Sequence, residues 1–93
     1  MSDYKIFETR QFLDDLEELH SDSFRKKIYN KIINYVYPQI QKNPFFGQNI
    51  KKLIDYTPPT WRYRIGSYRL FYEIDEKERI VFIIVFEIRH RGY

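Results

Sequence analysis

The chain has no cysteine, only two histidines and only three glycines in 93 residues. Without cysteine there is no disulfide framework, no thiolate zinc site and no cysteine nucleophile, and a reducing, cytoplasmic setting fits. The two histidines, His20 and His90, fall at the end of the first helical stretch and in the tail, which argues against a paired-histidine ribonuclease. No stretch is low in complexity, repeated or linker-like. The start, Met1-Ser2-Asp3-Tyr4-Lys5, lacks the basic-then-apolar pattern of a signal peptide. The longest apolar run, Ile80 to Phe86, is too short to cross a bilayer as a helix, so no membrane partner is expected.

What is abundant is aromatic. Nine tyrosines and eight phenylalanines bring the aromatic share to 19%, whereas the hydrophobic share of 43% is ordinary. Part of this simply populates strands, where rings pack well. The formal net charge is +3, a mild hint of a polyanionic partner. Its distribution says more: Asp14, Asp15, Glu17 and Glu18 cluster early, and Arg62, Arg64, Arg69, Arg89 and Arg91 cluster late. Residues 1–93 make one small domain.

In chain order, Tyr4 to Glu8 alternates as a short strand. Thr9 is a helix N-cap, and Phe12, Leu13, Leu16 and Leu19 follow at helical spacing. The four carboxylates between them read as a solvated helix face rather than a metal site. Ser21-Asp22-Ser23 starts a second helix, with Ile28, Ile32, Tyr35 and Val36 on one side and Arg25, Lys26, Lys27 and Lys31 on the other. Pro38 predicts a kink or break, with a last turn to about Lys42. Asn43 to Gly47 and Asp55 to Pro59 are loops flanking a β-prone stretch, Asn49 to Ile54. Arg79 to Arg89 reads as a long strand, apolar on both faces from Ile80 to Phe86, and such a run marks a strand central in its sheet. The expected architecture is α+β: an N-terminal strand, a two-helix hairpin, then a three- to four-stranded, mainly antiparallel sheet with the helices on one face and the other face free to bind.

The stretch from Trp61 to Asp75 is the most informative. Trp61, Tyr63 and Ile65 alternate with Arg62 and Arg64; Gly66-Ser67 makes the turn; Tyr68, Leu70, Tyr72 and Ile74 alternate with Arg69, Phe71 and Glu73. One hairpin thus carries three arginines beside several aromatic rings expected to be exposed, a combination suited to phosphates and unstacked bases.

Pro44-Phe45-Phe46-Gly47, Ile50-Lys51-Lys52-Leu53, Trp61 to Gly66, Tyr68 to Asp75 and the terminal His90-Arg91 with Tyr93 together resemble the RelE/ParE superfamily of type II toxin–antitoxin toxins. The resemblance runs along nearly the whole chain, and the hairpin is its most specific part. It implies a toxin held inactive by a cognate antitoxin. In the RelE branch such toxins cleave mRNA on the ribosome, whereas the ParE branch shares the fold, poisons DNA gyrase and lacks the basic catalytic set. By resemblance, Arg62 and Arg64 match the basic pair before the turn and Arg69 the arginine after the hairpin tyrosine. Arg91, or Arg89 in an ungapped alignment, matches the arginine after the last strand, and Tyr93 the terminal tyrosine. Tyr93 follows Arg91 at a shorter distance than the family pattern. Lys51, Lys52, Arg89 and His90 are the candidate RNA-binding residues. Operator DNA is expected to be bound only through the toxin–antitoxin complex.

The chemistry fits without a metal or cofactor. When a 2′-hydroxyl attacks its own phosphate, the reaction needs a base, positive charge on the phosphorane and an acid for the leaving oxygen. Arg69 with Arg91 or Arg89 supplies the charge, and arginines lower the pKa of a phenol, which suits Tyr93 to the base's role. Arg62 and Arg64 are poor proton donors, suited instead to electrostatic help or to holding the backbone. His90 is a possible accessory. Glu73 and Glu87 are read as salt-bridge partners before they are read as bases.

Overall fold

A computed structural model describes residues 3–19 and 21–88. The elements are β1 (Lys5–Glu8), α1 (Arg10–Glu17), α2 (Asp22–Lys31), a π-helical turn (Ile32–Val36), α3 (Tyr37–Lys42), β2 (Ile50–Lys52), β3 (Trp61–Ile65), β4 (Tyr68–Asp75) and β5 (Ile80–Ile88). The architecture is α+β, with all strands in one five-stranded mixed sheet of order β1-β5-β4-β3-β2. Only β1 runs parallel to its neighbour, β5; the other pairs are antiparallel. The strand count exceeds the expected three or four because β1 joins the sheet. The long apolar strand β5 lies between β1 and β4, and the middle position belongs to β4.

Both helix starts are capped as their sequences dictate. The Thr9 hydroxyl accepts from Phe12 N at 3.3 Å, and Ser21 Oγ accepts from Phe24 N at 3.2 Å. Pro38 does not break the helix. The turn before it widens to π geometry, so that Tyr37 N–H reaches Ile32 O, and the chain continues into α3. A proline lacks the N–H and crowds the carbonyl one turn back; the wider turn accommodates both effects locally. Ile28, Ile32, Val36 and Ile40 all stay buried through this irregularity.

One face of the sheet is covered by the helices. Trp61, Tyr63 and Ile65 from β3, Leu70 and Tyr72 from β4, and Val81, Ile83 and Phe86 from β5 pack there against Phe12, Leu16, Ile32 and Val36. The hairpin's rings therefore serve the core: Tyr63 is 1% and Tyr72 0% exposed. The expectation of several exposed rings beside the arginines is corrected, because the same alternation that exposes arginines on one face buries aromatics on the other.

Strand β5 contains a bulge. Phe71 pairs with Val85 and Tyr72 with Ile83, so Ile84 is an extra residue. Helix α1 binds the backbone around it. The Thr9 hydroxyl donates to Ile83 O at 2.7 Å, and Phe86 N–H donates to Asp15 Oδ2 at 2.9 Å. Asp15 thus leaves the solvated acidic face expected of it and satisfies a strand donor.

A second carboxylate is committed to the helices. Glu8, on β1, accepts from Tyr29 Oη at 2.9 Å and from Tyr37 Oη at 2.7 Å. Burial, the hydrogen bond to Glu8 and the negative charge of Glu8 push the Tyr29 phenol up to about 12. The same causes push Tyr37 in the same direction, and burial does so for Tyr72. A phenol that holds its proton more tightly when folded stabilises the fold fully below its unfolded value near 10. That contribution disappears as pH rises through the folded value. Urea midpoints followed by circular dichroism are expected to be insensitive to these phenols below pH 10 and to fall between pH 10 and 12. Tyr29→Phe should make that fall shallower; an unchanged slope would count against the cluster.

Candidate functional site

The open face of the sheet collects the basic side chains. Strand alternation places Arg62 and Arg64 of β3 opposite the buried Trp61, Tyr63 and Ile65, and Arg69 of β4 opposite Leu70. The Gly66-Ser67 turn, with Gly66 at φ 56°, sets the register. That register makes Arg64 and Arg69 cross-strand neighbours, with Glu87 beyond Arg69 on β5. The next row reads Lys51, Arg62, Phe71, Val85. Two adjacent rows of one face thus carry three arginines and a lysine.

Within the first row, Arg69 is oriented and Arg64 is exposed. The Arg69 guanidinium forms an ion pair with Glu87, and its Cζ lies 5.7 Å from the centre of the Phe71 ring. Both members of the pair are about one-third exposed, at 32% and 36%, so the pair's main effect is to fix direction rather than to stabilise. Arg69 Nε is buried and has no acceptor among the described residues. Phe71 is the one hairpin ring on this face, and it is half-buried beneath the guanidinium. The two rows form an open basic surface, which suits an extended anionic chain.

Lys51 and Lys52 separate. Lys51 is exposed on the open face beside Arg62. Lys52, one residue on, reaches the other side of the sheet edge, with Nζ 5.4 Å from the centre of the Trp61 ring. Arg89, His90, Arg91 and Tyr93 lie outside the described residues, as does His20. The alignment choice between Arg89 and Arg91 therefore stays as the resemblance left it. Sequence reasoning placed Phe71 on the face of Arg69, and it missed the bulge that sets the direction of Glu87. Phe71 was legible from its parity with Arg69; the bulge carries no local signal in an unbroken apolar run.

The loop that precedes β2 is tied to the back of the hairpin. Tyr72 Oη donates to Pro44 O at 2.7 Å in a buried bond, and the Phe45 ring packs edge-on against Trp61 at 5.5 Å. Tyr63 Oη donates to Gln39 Oε1 at 3.0 Å. Tyrosines of the hairpin thus anchor the site from behind, and arginines face forward.

A small α+β domain with a guanidinium-lined open sheet face is a recognisable class of protein, and comparison gives its family. The model of the family described as "ParE toxin of type II toxin-antitoxin system, parDE" matches residues 6–93. The chain belongs to this family of toxins. Its fold is similar to that of a chain in the RelBE2 toxin–antitoxin complex from Mycobacterium tuberculosis, with a TM-score of 0.74, 24% identity, and coverage of 94% of this chain and 99% of that one. It is also similar to a chain of the archaeal RelE–RelB complex from Pyrococcus horikoshii OT3, with a TM-score of 0.69, 19% identity, and coverage of 99% and 100%. The isolated RelE toxin of E. coli gives 0.67 at 20% identity, covering 96% and 87%. No curated relative matches the chain.

These contacts separate framework from site. Tyr72→Phe orphans the buried Pro44 carbonyl and should lower the free energy of unfolding by about 1–3 kcal/mol. Arg64→Ala, at an exposed position, should change it by no more than about 0.5 kcal/mol. Urea denaturation of the two variants beside wild type checks both; equal losses would contradict this division.

Proposed function

We propose that this toxin is a ribosome-dependent mRNA endonuclease that arrests translation and growth. The observation that carries the reading is the row formed by Arg64 and Arg69, flanked by Arg62 and Lys51 on the same open face. Guanidinium forks match the paired oxygens of a phosphate, and fixed positive charge is of most use where the transition state becomes more negative. The 2′-oxygen attacks phosphorus, the bond from phosphorus to the 5′-oxygen breaks, and the arginines hold the charge of the phosphorane. Arg62 and Arg64 give electrostatic help and hold the backbone, and Lys51 contributes to RNA affinity. The resemblance assigns Arg91 or Arg89 to complete the clamp; Tyr93 is the base the sequence offers, and His90 a further contact to RNA. No metal or cofactor enters this scheme. An open site suits a substrate whose geometry is supplied partly by the ribosome, and free RNA would be cut slowly.

A cognate antitoxin is the proposed protein partner, since several similar structures are toxin–antitoxin complexes. An acidic segment that orders on binding would neutralise the open face. Operator DNA is then reached through that complex, and the cytoplasm is where ribosome and mRNA are found. A second reading, a gyrase inhibitor without chemistry, is favoured by one observation: the matching family is described by its ParE toxin.

Mapping transcript 5′ ends after brief expression separates the two. Wild type should produce new ends within translated frames. Arg69→Ala should remove them and the growth arrest, with a melting curve close to wild type. Intact transcripts together with inhibited gyrase supercoiling in vitro would establish the second reading instead.

A further inference from the structure

The proposed reaction needs a base for the 2′-hydroxyl, and the described part of the open face offers one carboxylate beside the phosphate-binding row. We infer that Glu87 is that base. The inference rests on the nuclease reading above.

Three observations support it. First, the bulge at Ile84 changes the parity of β5: Val81 and Ile83 point to the core, and so does Phe86, three residues on. Without the extra residue, Glu87 would share the face of Ile83. With it, Glu87 stands on the open face, directly across from Arg69. Second, Glu87 touches Arg69 through one terminal nitrogen, Nη2. A guanidinium has five N–H donors, so the same group can hold a carboxylate and a phosphate side by side. Arg64 next to it keeps the row positive, and a phosphate therefore binds without evicting Glu87. Third, Glu87 remains about one-third exposed, open to a substrate hydroxyl. Glu73 is the other glutamate of this face, and it pairs across to Phe82, a further row away from Arg64 and Arg69.

The step balances as follows. The Glu87 carboxylate takes the proton of the 2′-hydroxyl as the 2′-oxygen forms its bond to phosphorus. The bond to the 5′-oxygen breaks, and that oxygen takes a proton from solvent water. The products are a 2′,3′-cyclic phosphate and a 5′-hydroxyl. This gives Glu87 the proton that the sequence argument gave to Tyr93. Among described groups, Arg69 faces the carboxylate from the next strand, Arg64 lies one strand further, and Asp15 and Glu18 of α1 share a depression with Glu87.

The test is single-turnover cleavage of mRNA on programmed ribosomes, titrated with toxin, for wild type, Glu87→Gln, Glu87→Asp and Arg69→Ala. Glu87→Gln keeps a hydrogen-bonding partner for Arg69 and removes the base. Its saturating rate should fall about 100-fold or more, with the half-saturating toxin concentration and the melting curve unchanged. Glu87→Asp should recover part of the rate, and Arg69→Ala should lose both binding and rate. A Glu87→Gln variant that cuts as fast as wild type, or fails only through weaker binding, overturns the inference and leaves the nuclease reading standing. A faster variant also overturns it, showing that Glu87 competes with the phosphate. A wild type that cuts nothing overturns both.

Discussion

The open face depends on strand parity. A strand commits every second side chain to one side of the sheet, and the described residues cover this sheet on one side only. In β3 and β4 the commitment is strict: Trp61, Tyr63, Ile65, Leu70 and Tyr72 go under the helices, and Arg62, Arg64, Arg69 and Phe71 go outward. In β5 an inserted residue resets it. The reset is supported from α1 by Thr9 and Asp15, which bond the strand backbone on either side of Ile84. Cap, helix and bulge therefore form one device, and the direction of Glu87 depends on it.

The same device explains why a short β1 suffices. Its last residue, Glu8, pairs with Ile83, and from there α1 takes over the bonding edge of β5. An exposed strand edge invites pairing with other chains, and covering it with a helix removes much of that risk. The two tyrosines on Glu8 fasten the start of the sheet to α2 and α3. Framework and open face thus use different residue types: carboxylates and phenols behind the sheet for cohesion, guanidinium groups in front.

Much of this was legible in the sequence, for physical reasons. Caps at Thr9 and Ser21 are local chemistry, and they were read correctly. The two faces of the hairpin follow from a period of two. What escaped was non-local. The pairing of β1 with β5 joins residues more than seventy positions apart, and no alternation within Tyr4 to Glu8 reports it. The last turn to Lys42 was read, but not the widened turn that carries the chain past Pro38 and that the core around Ile32 and Val36 stabilises. The exposure expected of the hairpin rings failed because aromatic content was credited to binding before the core had been filled. The site was legible as a set of arginines, and its register was not, since register is fixed by turn and bulge together.

Arg64 and Arg69 stand opposite each other, and among the described residues Glu87 is the carboxylate paired in their row. Like charges facing across strands weaken a sheet. The fold therefore holds a small reserve of repulsion at the place where an anion would sit. By mass action, any polyanion that binds there firms the sheet in proportion to the logarithm of its concentration, whether or not it is cut. The toxin's thermal transition is thus also a gauge of occupancy, and it would register an acidic inhibitor and an RNA strand alike.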